Sequence, residues 1–156
     1  MATLTGTRAA STYPVSGAAR KGVLQVAYGT YTFATAASAN DVVEFCKVPA
    51  GATVIGGFYQ GADIDTGTET FDFDIGWASN GTDAADPDGF GNFGVQDGDV
   101  VAQFRPVAGI YYPFINIIQD SGFKTFAAET TITGTVVAAA NAGGTGTVKV
   151  VVYYVM

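Results

Sequence analysis

Fourteen carboxylates and no histidine define the chemistry open to this chain of 156 residues. Without imidazole, the commonest general base is missing, and with it the Ser-His-Asp and Cys-His relays and the usual zinc and iron ligands. Carboxylates alone can still act as a general acid and base, as in glycoside hydrolysis, or supply oxygens to a hard cation. Asp72 and Asp74 are the nearest thing to a catalytic pair. Two residues apart on a strand, they share a face at about 7 Å, and solvated outward positions are expected for them. Asp63-Ile-Asp65-Thr-Gly67-Thr-Glu69 places oxygens at alternate positions, which makes Asp63, Asp65 and Glu69 the calcium-ligand candidates. The run departs from an EF-hand loop, with Gly67 where a third side-chain ligand belongs and Thr68 where the glycine belongs. Asp86-Pro-Asp88-Gly89 is a second acidic cluster with no recognised ligand spacing. Cys46 sits in an apolar run with no base to activate it, and reads as a small core hydrophobe. Asn80-Gly81-Thr82 is a glycosylation acceptor only on a secretory route. No glycine-rich phosphate loop, basic groove or cysteine cluster is present. No catalytic residue, cofactor or metal centre is expected.

The charges are few and unevenly placed. Charged residues make up 13% of the chain, against about 25% in an average soluble domain. Too little charge is available to cover a monomer, so part of the surface is expected to be buried against other chains, as in a homo-oligomer. The net charge is −7. Residues 1–22 carry Arg8, Arg20 and Lys21 and no acid, whereas residues 63–99 carry ten acids and no base. An acidic middle of this kind repels phosphate and argues against nucleic acid as partner. One cysteine excludes an internal disulfide and suits a reducing compartment or a particle made inside a cell. Met-Ala-Thr-Leu-Thr-Gly-Thr-Arg has no apolar run, so no signal peptide is expected, and no stretch of about 18 apolar residues suggests a membrane span.

The elements that must position these residues read as strands. Residues 1–22, rich in Ala, Ser, Thr and Gly, read as a flexible or extended arm. A single sandwich domain is expected over 23–156. Val23–Phe33, Val42–Val48 and Thr53–Gln60 read as strands, with Pro49-Ala50-Gly51 predicting a hairpin between the last two. In Glu69–Trp77, Phe71, Phe73, Ile75 and Trp77 alternate with Thr70, Asp72, Asp74 and Gly76, which predicts a strand with one apolar and one acidic face. Residues 78–99, with Asn80-Gly81, Asp86-Pro87-Asp88-Gly89 and Asp97-Gly98-Asp99, read as a long acidic loop, with a short helix possible in Asn92–Phe104. Ile110–Ile118 is apolar on both faces, and Pro113 makes it an edge strand or an irregular connection. Glu129–Ala138 and Thr147–Met156 close the chain, the last apolar on both faces and so central or covered. Seven to eight strands at these spacings predict an all-β antiparallel sandwich of jelly-roll type.

With the strands laid out, the chain resembles the small β-sandwich virion proteins of tailed bacteriophages, and head decoration (cement) proteins above all. The features that carry the likeness are the Ala/Ser/Thr arm, Val48-Pro49-Ala50-Gly51-Ala52 leading to Gly56-Gly57-Phe58, the Phe71–Trp77 strand with its aspartates, and the closing run Val148–Val155. The resemblance implies a protein without enzymatic activity, made in the host cytoplasm. It implies a homo-oligomer, a trimer by preference, seated on the capsid surface against the major capsid protein. Its contacts would be sought at Arg8, Arg20 and Lys21 of the arm and at Ile110, Tyr111, Tyr112 and Phe114. The competing expectation is a surface module binding carbohydrate or calcium, with Trp77, Tyr59 and Tyr28 as stacking candidates.

Overall fold

The computed structural model describes residues 2–6, 9–10, 22–96, 110–114 and 123–156. These residues form ten strands and no helix. They are β1 (Thr3–Thr5), β2 (Gln25–Phe33), β3 (Val42–Val48), β4 (Thr53–Gly61), β5 (Asp72–Trp77), β6 (Asp86–Gly91), β7 (Ile110–Pro113), β8 (Lys124–Thr125), β9 (Thr130–Ala138) and β10 (Gly146–Val155). Sheet 1 has the order β1-β3-β9-β5-β6, and sheet 2 the order β2-β10-β4-β7, with β8 beside β4. All pairings are antiparallel except β1 with β3. Setting aside the short β1 and β8, two four-stranded sheets face each other in a jelly roll, as the alternation predicts.

The core lies between the sheets. β10 turns Val148, Val150, Val152 and Tyr154 inward from sheet 2. β5 answers from sheet 1 with Phe73, Ile75 and Trp77, and Phe71 just before it is buried as well. One aromatic group joins Phe33, Phe45, Tyr59, Phe71 and Phe73 at centroid distances of 5.4–6.2 Å. Another joins Trp77, Phe90, Phe114 and Phe126. Such pairs contribute about 0.5–1.5 kcal/mol each beyond the area they bury. The sheets close together where β2 crosses β3. A side chain at Gly29 would sit 2.1 Å from the Phe45 carbonyl oxygen, so only glycine fits there.

Four expectations need correction. Pro49-Ala50-Gly51 does form a turn, with Ala52 N–H donating to the Pro49 carbonyl and Gly51 at φ +82°, but it makes no hairpin. β3 pairs with β9 and β4 with β10, so the turn carries the chain from one sheet to the other. Each strand has one apolar face, and a jelly roll buries both by placing consecutive strands in opposite sheets. The N-terminal stretch is in part a strand: Thr3–Thr5 pairs with Val42–Glu44, and the Asp41 carboxylate accepts hydrogen bonds from Ala2 N and Ser38 N. Arg8 and residues 11–21 lie outside the described residues.

The acidic loop contains β6, and the Asp86-Pro87-Asp88-Gly89 run read as a turn belongs to it. β6 is the edge of sheet 1, where a proline is tolerated, and Gly89 leaves room for the Trp77 ring lying against it. The described part of Asn92–Phe104, residues 92–96, is not helical. Finally, the outward side of β5 is not solvated throughout, because Asp74 is only 5% exposed and Gly76 lies under the Asp86 and Pro87 backbone. Pro113 does stand on an edge strand, β7, and β10 is central, as predicted.

Candidate assembly surfaces

The acidic residues divide into anchored carboxylates and crowded ones. Asp65 is the most firmly anchored. Its oxygens accept hydrogen bonds from the backbone N–H groups of Thr70 (2.8 Å), Asn141 (2.9 Å), Ala142 (3.0 Å) and Phe71 (3.3 Å) and from the Thr70 hydroxyl (3.0 Å). Burial pushes this carboxyl up, but the donors from Asn141, Thr70 and Ala142 outweigh burial and hold it well below the usual carboxylate range. Asp65 thereby ties the loop before β5 to the β9–β10 connection. Oxygens filled by N–H donors are not open to a cation, and Asp63, Asp65 and Glu69 are not gathered as a ligand set. Among the described residues no group of three or more His, Cys, Asp or Glu could hold a metal ion.

Asp83 is a second anchor. It accepts from Asn80 Nδ2 (2.9 Å), Lys124 Nζ (2.9 Å) and Ala127 N (3.0 Å), and these partners pull its carboxyl down to about 2. Lys124 also lies 5.2 Å from the centroids of the Trp77 and Phe126 rings, and Trp77 donates its indole N–H to the Ala84 carbonyl. Asn80 further donates to Thr130 Oγ1 at 2.6 Å. This knot was not legible beforehand, although Asn80-Gly81-Thr82-Asp83 signals a turn whose Asn bonds its own backbone, as it does to Thr82 N and Asp83 N.

The crowded carboxylates are Asp72, Asp74, Asp86 and Asp88, on β5 and β6. Burial first, then the charge of Asp72, raises the Asp74 carboxyl to about 6, against a 3.3 Å hydrogen bond from Phe93 N. Burial also raises Asp72, whose Oδ1 is enclosed without a hydrogen-bond partner. Asp86 is raised by burial and then by its hydrogen bond with Asp88. Asp72, Asp86 and Asp88 are half-buried at one end of sheet 1, and Asp74 beside them is buried.

Sheet 2 is its opposite. Its four main strands contain no Asp or Glu, and Lys149 is their one charged residue. Register aligns Tyr28, Val151, Phe58 and Pro113 in one row across β2, β10, β4 and β7, and Val26 with Tyr153 in a second. The alternation of β2 and β10 turns these side chains away from the core. Val26 and Tyr28 are exposed, and the Phe58 and Tyr153 rings pack on each other at 6.3 Å. A third row, Thr30, Lys149 and Gln60, is polar. Beside it, the shallow cleft bounded by Gln60, Gly61, Ala62, Thr147 and Lys149 holds no acid, and so no acid–base pair.

Of the contact residues proposed from sequence, Arg8, Arg20 and Lys21 lie outside the described residues. Ile110, Tyr111 and Tyr112 stand on β7, the edge partner of β4. Phe114 is buried and stacked on Phe90 at 4.9 Å, which commits it to the subunit's own core. Of the three stacking candidates, Trp77 and Tyr59 are core residues, Tyr59 donating its hydroxyl to Gln96, and only Tyr28 is exposed. Cys46 is buried on β3.

No family model matches the chain, and no curated protein matches it. Solved structures do. A chain in the capsid of Ralstonia phage GP4 superposes with a TM-score of 0.75 at 18% identity, covering 99% of this chain and 98% of that one. A chain of the cyanophage Pam1 capsid asymmetric unit gives 0.62 at 22% identity, with 94% of each chain covered. A chain in the acid-stable capsid of Helicobacter pylori bacteriophage KHP30 gives 0.52 at 16%, covering 87% and 90%. At these identities the common property is architecture: the chain is folded, nearly end to end, like chains found in phage capsids.

Proposed function

We propose that this protein is a structural component of a phage particle, and more narrowly a decoration (cement) protein on the outside of the capsid. The observation that carries the reading is the fold match to a capsid chain over 99% of this chain and 98% of that one, which leaves little of either unaccounted for. Chemistry supports a structural role. The titratable groups that depart most from their ordinary behaviour are loop anchors, such as Asp65 and Asp83, or members of the β5–β6 acidic cluster. A decoration role is favoured over shell-building because the described residues form one jelly roll with no helix. The partners would then be copies of this chain, in trimers by preference, and the major capsid protein. The location would be the capsid surface, after synthesis in the host cytoplasm.

The test is to produce particles without this protein. A decoration protein leaves closed shells that rupture at lower temperature and recover when purified protein is added back. Failure to form any shell would assign the chain to the shell itself. Normal heads lacking only a tail would place it elsewhere in the particle.

A further inference from the structure

We propose that the outer face of sheet 2 is where two copies of this chain meet, an inference that rests on the assembly role above. The face is apolar at its centre, where Tyr28, Val151, Phe58 and Pro113 form one row and Val26 and Tyr153 the next. Val23 and Leu24, both exposed, extend it beyond the start of β2. Thr30, Thr32, Thr147, Lys149 and Gln60 border it on one side. An apolar centre with tyrosines and a polar rim is the ordinary anatomy of a protein interface.

Charge identifies the occupant. Two copies of a chain with net charge −7 repel each other unless their acids are kept apart. Among the described residues, the five strand carboxylates, Glu44, Asp72, Asp74, Asp86 and Asp88, belong to sheet 1, and sheet 2 has none. Packed sheets lie about 10 Å apart, so copies joined through sheet 2 hold their sheet 1 acids roughly 30 Å from one another, three sheet spacings. That exceeds two Debye lengths at physiological salt, about 8 Å each, and the repulsion is screened. Contact through sheet 1 would instead press Asp72, Asp86 and Asp88 against their own copies. A second copy of this chain is therefore a partner that suits sheet 2 and not sheet 1. A strongly basic partner would be drawn to the acidic sheet instead.

Sedimentation velocity on the full-length protein tests this, with Val26→Glu and Tyr28→Glu on sheet 2 and Val137→Glu on sheet 1. Val26, Tyr28 and Val137 are matched in exposure, at 44%, 46% and 47%. All three variants should melt within a few degrees of the parent, which shows that they fold. The parent should self-associate, Val137→Glu should do so equally, and the two sheet 2 variants should weaken association at least about tenfold, equivalent to 1.4 kcal/mol. A monomeric parent, or sheet 2 variants that associate like the parent, overturns the proposal. Binding to undecorated capsids separates it from the assembly reading. If the parent is a monomer that binds capsids and Val26→Glu abolishes that binding, sheet 2 belongs to the shell contact, and only the self-contact is refuted. If neither association nor capsid binding occurs, both readings fall.

Discussion

The two sheets of this protein have similar inner faces and opposite outer ones. Inside, sheet 1 presents Val, Ile and Phe and sheet 2 presents Val, Phe and Tyr to a shared core. Outside, sheet 1 carries Glu44, Asp72, Asp86 and Asp88 beside the buried Asp74, while sheet 2 carries Val26, Tyr28, Val151, Tyr153 and Phe58, with Lys149 the single charge of its four main strands. The inner likeness is a requirement of folding, because each sheet must bury one face. The outer difference is not required by folding, since a sandwich would be as stable with Thr and Lys on both sides. It reads as a division of labour between a surface that excludes its own copy and one that admits it.

The largest expected effect leaves the outer difference intact and breaks the inner likeness. Phe73 is fully buried among Phe33, Phe45, Tyr59 and Phe71, and Phe73→Ala should cost about 3–5 kcal/mol in urea unfolding. Next comes the link between the sheets. Asp65→Asn leaves backbone N–H groups of Thr70, Asn141 and Ala142 without a full set of acceptors and should cost about 2–3 kcal/mol, again by urea unfolding. EDTA should leave the parent's melting temperature unmoved.

A smaller effect separates the outer faces by pH. The Asp74 carboxyl is raised to about 6 in the fold, above its unfolded value of 3.8. In that window the folded state binds more protons than the unfolded state, so stability should rise as pH falls from about 6 towards 4. The gain should be on the order of 1–2 kcal/mol, and Asp74→Asn should flatten it. Asp83, held down to about 2, works the other way: its contribution is present above pH 3.8 and disappears as pH falls through 2. Stability measured against pH should therefore peak on the acid side of neutral and fall steeply below about 4. A profile that declines steadily from pH 7 would contradict the burial of Asp74.

The smallest effects compare two ion pairs. Lys47 and Glu129 meet at 3.0 Å on the open side of sheet 1, and Lys47→Ala should change stability by less than about 0.5 kcal/mol. Lys124 is tied to Asp83 and lies over Trp77 and Phe126, so Lys124→Ala should cost roughly 1–2 kcal/mol by thermal melting.

How much of this was legible in the sequence depended on the range of the interactions. Strands were readable where alternation is strong: Val42–Val48 is β3 to the residue, and the stripe through Phe71, Phe73, Ile75 and Trp77 is buried as its period demands. Pairing was not readable, since nothing local distinguishes a turn that joins paired strands from one that changes sheets, as at Pro49-Ala50-Gly51. β6 was hidden because Asp-Pro-Asp-Gly has turn chemistry, and only the Trp77 ring against Gly89 and the edge position explain it as a strand. Asp65 could be noticed but not interpreted, because two of its donors come from residues 76 and 77 positions away. The sheet 2 face was half visible. Val148–Val155 is apolar on both sides, but the alignment of Tyr28 and Phe58 with Val151 emerges only from the register.

A reconstruction of the intact particle by electron cryomicroscopy should show a jelly roll on the outside of the shell, repeated across the lattice, with the Tyr28–Val151–Phe58 row of each copy buried against another copy. Density for this fold within the continuous shell, or a sheet 2 face open to solvent in every copy, would contradict that arrangement.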